Sequence, residues 1–485
     1  MTVQFLKRAA VCLSVFVVVW IAATTWWSST RQIPGTAHAI GILFALPVAI
    51  ICGSILALRA RAGSPTSNTP GTAAPRDSAS EAANSPKAAQ LRAIITHVAM
   101  RTAQGNSPDA IDAALTQGAR AELDPMLADS NGFPVRAARV ATLDDAELDV
   151  LQESWRATWR DLPLTGDRLR AIALLEEVVL DTADTLGHVA LVAPLPGVQS
   201  RVQFDVVVDP NWDNALCTAL SKHLQGRVAQ QNPHLSIGIT PVRGHTAASA
   251  LAQLDLAIMA LGHAPQEART TETARWYVVA ATHSSLDEAT IADALRSGRL
   301  FTPSNQHGEI AGESATAIVL GTETQHAAAS ATTTGEAADD AANEAQQGNQ
   351  AIAILARPAL KSRDEPDQQA AKEASELLEA TTHRAIELAD IPADSIGGIV
   401  ADRGAQPTHA VELALFAGAR FPKLEPLVDT VALDGGCGAT RAAGALLAVA
   451  IAAHRARTKN HPVLCTTLGD PAAQSAIVVL PAIPA

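Results

Sequence analysis

The chain has 485 residues, 48% of them hydrophobic, enough for one large or two ordinary domains with a sizeable core. A formal charge of −13 leaves no excess of basic residues to form the face that a phosphate backbone requires, so nucleic acid is excluded as a partner. The five cysteines (Cys12, Cys52, Cys217, Cys437, Cys465) form neither a C-x-x-C pair nor a metal-ligand spacing, which predicts a reducing compartment, no disulfide and no metal; no cofactor is expected either.

From the N-terminus, residues 1–61 read as a membrane anchor. Ala9 to Trp27 and Ala37 to Leu58 are apolar runs of about 20 residues, each long enough as helix to cross a bilayer core of about 30 Å. A cleaved signal peptide explains only the first run, so two transmembrane helices, about 9–27 and 37–58, are expected. Lys7 and Arg8 precede the first and Arg59 and Arg61 follow the second, while the connection between them carries only Arg31. That bias places the N-terminus and the large C-terminal part in the cytoplasm, on a bacterial inner membrane. Residues 62–88 are Ser, Pro, Thr, Asn and Ala with few large apolar side chains, and read as a flexible linker.

A domain fills residues 89–485. Leu91 to Val98 is predicted as a strand. Ser107 and Pro108 supply an N-cap and a first-turn proline for a helix over Asp109 to Gln117, which Gly118 ends. Arg168 to Leu186 has an amphipathic helical pattern and leads to a predicted strand over Val189 to Val192. Leu235 to Val242, rich in β-branched residues, reads as a strand. Arg243, Gly244, His245 and Thr246 then turn the chain into a helix over Ala247 to Leu261, apolar all round and therefore buried. Trp276 to Ala281 is a buried-strand candidate, and Gly308 to Ala315 (GEIAGESA) runs into the apolar Ala317 to Leu320. Residues 322–350 lack periodicity and read as a mobile insertion. A strand, a helix and a strand follow over Ala351 to Ala356, Ala370 to Leu388 and Gly398 to Ala401, and Ala476 to Leu480 is the last strand.

This order resembles the β-ketoacyl synthases of the thiolase-like superfamily, over about Leu91 to Pro481. Against their D-T-A-C-S-S-S-L signature, Gly244 takes the Asp position and Ala247 that of the reactive Cys. The motif G-x-x-x-G-E-G-A, a turn feeding a central strand, is matched at Gly308 to Ala315 with Ser314 for a Gly; Glu313 is read as structural. The H-G-T-x-T motif is replaced by Arg403-Gly404-Ala405-Gln406-Pro407, with Arg403 at the His and Glu412 near the acidic position that follows. In K-x-x-x-G-H-x-x-G-A-A-G, Leu433 replaces the Lys and Gly438 the second His, while Ala442, Ala443 and Gly444 are kept. The resemblance implies an α-β-α-β-α layered sandwich of two similar halves, and a homodimer or heterodimer paired through a central strand.

Condensation in that family needs a thiolate and two histidines. With Ala247, Arg403, Gly438 and Leu433 at those positions, the expectation is a pseudo-enzyme: a membrane-embedded, non-catalytic pseudo-ketosynthase acting as a scaffold or protein-binding component, for instance in a bacterial envelope or type VI secretion assembly. The first alternative is a silent subunit, like a chain length factor, paired with an active synthase. The second is an acyltransferase or hydrolase with an atypical nucleophile such as Cys437 or a serine; His245 and His409 lack recognisable partners, and His283 with Ser284 and Ser285 lacks an acidic third member. Arg243 and Arg403 are the pair that would bind an anion if the fold brings them together, with surface solvation as the plainer reading. Beside Ala247 a protein without catalysis needs no tunnel, so a closed or wholly apolar surround is expected.

Overall fold

A computed structural model describes residues 90–482, except 163, 165, 193–200, 264–274, 323–350, 363–369, 404–405 and 470–472. The two apolar runs, the linker up to residue 89 and the insertion beyond Thr322 lie outside the described residues. No helix among the described residues is long and apolar enough to cross a membrane.

The first half opens with β1 (Ala93–Thr102) and α1 (Pro108–Thr116). The Ser107 side chain accepts from the Ala110 amide at the start of α1, and Gly118 lies beyond its end at φ +81. A hairpin of β2 (Glu122–Ala128) and β3 (Pro134–Ala138) and helix α2 (Asp145–Thr158) precede α3 (Gly166–Val192). Then come β4 (Arg201–Val208), α4 (Asn214–Gln231), β5 (Ser236–Arg243), α5 (Ala247–Gly262), β6 (Arg275–Ser284), α6 (Glu288–Arg296) and β7 (Ala311–Gly321). The second half holds β8 (Ala353–Leu355), β9 (Ala359–Ser362), α7 (Ala370–Ala389), β10 (Gly398–Ala401), α8 (Pro407–Arg420), β11 (Thr430–Ala432), the single turn α9 (Asp434–Cys437), α10 (Arg441–Lys459), β12 (Val463–Thr467) and β13 (Ala473–Pro481).

The strand order shows a duplication. The first half runs β5-β4-β6-β7-β1 and the second β11-β10-β12-β13-β8. Leaving out the β2–β3 hairpin and β9, each is the third, second, fourth, fifth and first strand of its own half. Orientations repeat as well: β4 is parallel to β5 and β6, β10 is parallel to β11 and β12, and the fourth-to-fifth and fifth-to-first pairings are antiparallel in both halves. Strand β8 also pairs with β1, which joins the halves.

Layering follows from alternation along the strands. In β6, Val279 and Ala281 join the core around α5 and α10, whereas Val278 and Ala280 join the core under α3 and α4. In β13, Ile477 and Val479 face the shared central core, while Ala476 and Val478 face the core under α7 and α8. Helices α5 and α10 therefore form a middle layer between two sheets. Such a layer must be apolar on every side, and α10 is buried continuously from Ala442 to Ala456. Small residues let it approach both sheets and α5. The result is the five-layer α/β sandwich that the resemblance implied.

Two sequence expectations need correction. Val189 to Val192 is the last turn of α3, not a strand; a four-residue apolar run cannot discriminate the two, and the preceding helix continues through it. The strand is Arg201–Val208, where Val202, Phe204 and Val206 alternate with Gln203 and Asp205. Strand β7 already begins at Ala311, so Gly312 and Glu313 lie in the sheet rather than in a turn.

Ala250 of α5 is fully buried in the central core. Ala250→Leu is expected to overpack this layer and cost about 1–3 kcal/mol in a denaturant melt. An unchanged midpoint would mean that α5 has room beside it that a packed middle layer lacks.

Candidate functional site

The N-termini of α5 and α10 meet at a cavity of about 160 Å³, whose lining includes His245, Thr246, Ala247, Asp402, Arg403, Thr440, Arg441 and Gly444. Ala247 occupies the first position of α5 after the N-cap Thr246, which is where a helix dipole favours a thiolate. Arg403 follows β10, and Ala439, next to Gly438, completes the third side. Of the three positions singled out in the sequence, Ala247 and Arg403 line this space, and Gly438 is next in the chain to Ala439, which does.

A charged network lines the space. Glu309 accepts from Arg403 Nη2 at 2.7 Å through Oε1 and from Arg441 Nη2 at 2.7 Å through Oε2. All three side chains are largely shielded from solvent. Asp402 accepts from the Leu468 amide at 2.7 Å. Burial, the dominant cause, together with the nearby Asp434, pushes its carboxyl up to about 6 despite Arg403 and the backbone amides. The expectation of a closed or wholly apolar surround at Ala247 is therefore corrected: a carboxylic acid and two guanidiniums line the space, because the loops after β10 and before α10 supply polar residues that the apolar pattern of α5 did not reveal.

Gly438 sits at φ +70, and a Cβ built there would stand 2.8 Å from Ala311 O and from Gly312 Cα. Gly312 is equally confined, at 2.7 Å from Cys437 O. Two backbones of different halves touch at these glycines, so position 438 has no space for an imidazole. Leu433 is buried, and its amide donates to Ala401 O.

The remaining reactive residues are accounted for by structure. Cys437 is buried, and burial drives its thiol up to about 12, the opposite of a nucleophile's requirement. Thr246 caps α5 and shares a 2.9 Å hydrogen bond with Ser249. His283 is held neutral, at about 3, by burial and then by Arg441 and His245. Its neighbours do not form a triad: Ser284 Oγ donates to Glu313 and Ser285 Oγ donates to Gly312 O. His409 is lowered by burial first and by Arg403 second. Arg243 is exposed and donates to Asn214, whereas Arg403 lines the cavity with Glu309, so the two arginines serve separate contacts. Glu313 is fully buried and accepts from Arg170 through both oxygens, from the Val140 amide and from Ser284. It fastens β7 to α3, a structural role.

The sequence reading missed Glu309, Asp402, Thr440 and Arg441. A usable signal existed for one of them: Asp402, like Arg403 beside it, directly follows a parallel strand, the end of an α/β sheet at which ligand sites gather.

Comparison with solved structures agrees with the topology. The chain is similar to the ketosynthase from module 6 of the bacillaene synthase from Bacillus subtilis 168, with TM-score 0.53 and 12% identity over 81% of this chain and 72% of that one. It is similar to a structure of a type II polyketide synthase acyl-carrier protein in complex with its ketosynthase, with TM-score 0.52 and 12% identity over 81% and 100%. A β-ketoacyl synthase from Burkholderia phymatum STM815 gives TM-score 0.51 and 13% identity over 81% and 100%. The chain matches no protein-family profile and no curated protein. Its fold is that of the ketosynthases, the thiolase-like fold.

Glu309→Gln replaces the shared anion with a neutral amide between two guanidiniums. The variant is expected to lose about 1–3 kcal/mol in a urea melt. Wild-type stability would show that the bridge contributes nothing to holding the loops together.

Proposed function

We propose that this chain is a non-catalytic ketosynthase-fold protein that works by binding rather than by condensation, tethered to a membrane through its two apolar N-terminal runs. The observation that carries the reading is Ala247: the residue at the first turn of α5, beside the cavity, has no atom able to attack a thioester. Arg403 and Arg441, bound to Glu309, present guanidinium donors with no acceptor and supply no general base. The crowding at Gly438 supports the same conclusion, since an imidazole there requires the backbone of β7 to move.

The free edge of β5 favours pairing with a second ketosynthase-fold chain. Strand β5 ends the sheet order and has β4 as its partner among the described strands. It carries Pro241, which strands tolerate at sheet edges. The other strand of the pair is either a second copy or an active synthase; the latter makes this chain a silent subunit.

The test is acyl transfer. The full-length protein, incubated with radiolabelled acyl-acyl carrier protein and a malonyl donor, is expected to acquire no label and to release no condensed product. Stoichiometric labelling that survives denaturation would overturn the reading.

A further inference from the structure

Helix α8 departs from the pattern of the other outer helices. An outer helix buries one stripe and carries charge on the side that faces water. Helix α7, which shares a core with α8, exposes Glu376, Glu379, His383, Arg384 and Glu387. Helix α4 holds the place of α8 in the first half, since each follows the second strand of its half, and it exposes Lys222, Arg227 and Gln230. Helix α8 buries Leu413, Phe416 and Ala417, yet its outer side shows Val411 at 58% exposure and Leu415 at 68%. The other exposed residues before Arg420 are Thr408, Ala410, Gly418 and Ala419, none of them charged, and Glu412 is half-buried. A helix that is apolar on its inner and its outer side is built to be covered.

The apolar strip continues beyond the helix. A Cβ built on Gly418 would stand 3.7 Å from Pro426, so the segment after α8 lies against its last turn. That segment exposes Leu427 at 90% and Val428 at 57%. Four large apolar side chains this exposed make a patch of roughly 400 Å², within the range of the largest patch on a typical monomer. The small residues between them and the rim around them bring the face to the scale of the about 800 Å² that each partner of a standard interface buries.

Shape and charge specify the occupant. Along α8, Val411, Leu415 and Ala419 form one i, i+4 row, and Ala410, Ala414 and Gly418 form the row beside it. The first is a ridge and the second a groove. A face that holds both in parallel rows is complementary to itself: about a two-fold axis, the ridge of one copy enters the groove of the other at a crossing angle of about −50°. Charge agrees. Each copy carries −13, so two copies meet best through a face that bears no charge of its own. An anionic bilayer would need a basic face and a basic protein an acidic one, and the outer side of α8 presents neither. At the rim, Lys423 is paired with Asp394, and Arg420 and Glu425 carry opposite charges.

We propose that the outer side of α8 is an interface between two copies of this chain, in which each copy buries the Val411–Leu415 ridge and the Leu427–Val428 pair of the other. This face is distinct from the β5 edge. Strands β5 and β11 are the two ends of the sheet order, and α8 shares its core with Ile399 of β10, next to β11. A chain that pairs with copies of itself at both places carries two two-fold contacts and assembles beyond a dimer. The inference goes beyond the non-catalytic reading and does not rest on it.

The test is photo-cross-linking in cells that produce two differently tagged copies of the full-length protein, each with a benzophenone amino acid in place of Leu415. Irradiation is expected to link the two tags, with mass-spectrometric mapping placing the link in residues 407–428 of the other copy. Leu427→Glu changes a residue that is almost fully exposed, so the fold tolerates it, but it sets a carboxylate against the apolar face of the second copy. It is expected to lower the yield of linked copies about tenfold. Leu123→Glu, on the exposed side of the β2–β3 hairpin, is expected to leave the yield unchanged. Links to lipid or to other proteins alone, links to a different face of the second copy, an undiminished yield in Leu427→Glu, or an equal fall in Leu123→Glu would each overturn the proposal. A dimer through β5 neither makes nor removes a link from position 415, and acyl transfer does not enter the readout, so this inference and the proposed function fail separately.

Discussion

Glu309 joins parts of the chain that are far apart in sequence. It precedes β7 in the first half, and its two oxygens hold Arg403, after β10, and Arg441, at the start of α10, in the second. One carboxylate thus fixes the mutual position of the loops that surround the cavity. Its neighbours in the same short segment do related work. Gly312 allows the first half's backbone to touch the Cys437–Gly438 turn, and Glu313 fastens β7 to α3 through Arg170. The Ala439 amide donates to Ile310 O at the same junction. Residues 308–315 are the seam of the molecule, and the site's shape depends on that seam.

The duplication explains why a site exists at this place. Each half ends its third strand at a loop that leads onward, and two central helices begin where the halves face each other. That geometry brings two helix N-termini into one space whatever the side chains are. On the proposed reading, the positions that would carry a thiolate and histidines in a ketosynthase hold Ala247, Arg403 and Gly438, and the charge near them is arranged around Glu309 and Asp402. The middle layer of small residues is required for packing independently of any chemistry.

Much of the fold was legible in the sequence. The β-branched run at Leu235 to Val242 and the apolar helix that begins at Ala247 each stood where their pattern placed them, to within a residue or so, whereas the GEIAGESA segment, read as a turn, already holds the start of β7. These are local signals: periodicity, turn residues and caps. The error at Val189 to Val192 arose because a short apolar run lacks a period, so only the surrounding helix decides its state. Motif spacing pointed to Ala247 and Arg403, and both line the cavity. Glu309 and Arg441 were not legible, because their contacts pair residues 94 and 132 positions apart, Glu309 with Arg403 and with Arg441. Arg243 was paired with Arg403 on the condition that the fold brings them together, and its guanidinium donates to Asn214 while Arg403 donates to Glu309.

The central claim is that this protein keeps the place for a nucleophile and lacks the nucleophile and its partners. It is tested most directly by installing one. In Ala247→Cys, the new thiol sits at the N-terminus of α5 beside Arg403, an environment that favours the thiolate. Cys437 and Cys465, buried and with thiols driven upward, are the internal controls. Mass-spectrometric mapping after iodoacetamide at neutral pH is expected to find position 247 alkylated well ahead of both, with no condensation product formed from acyl and malonyl donors. A folded variant whose position 247 stays unlabelled would contradict the placement of the site, and condensation by that variant would contradict the claim that its chemistry is gone.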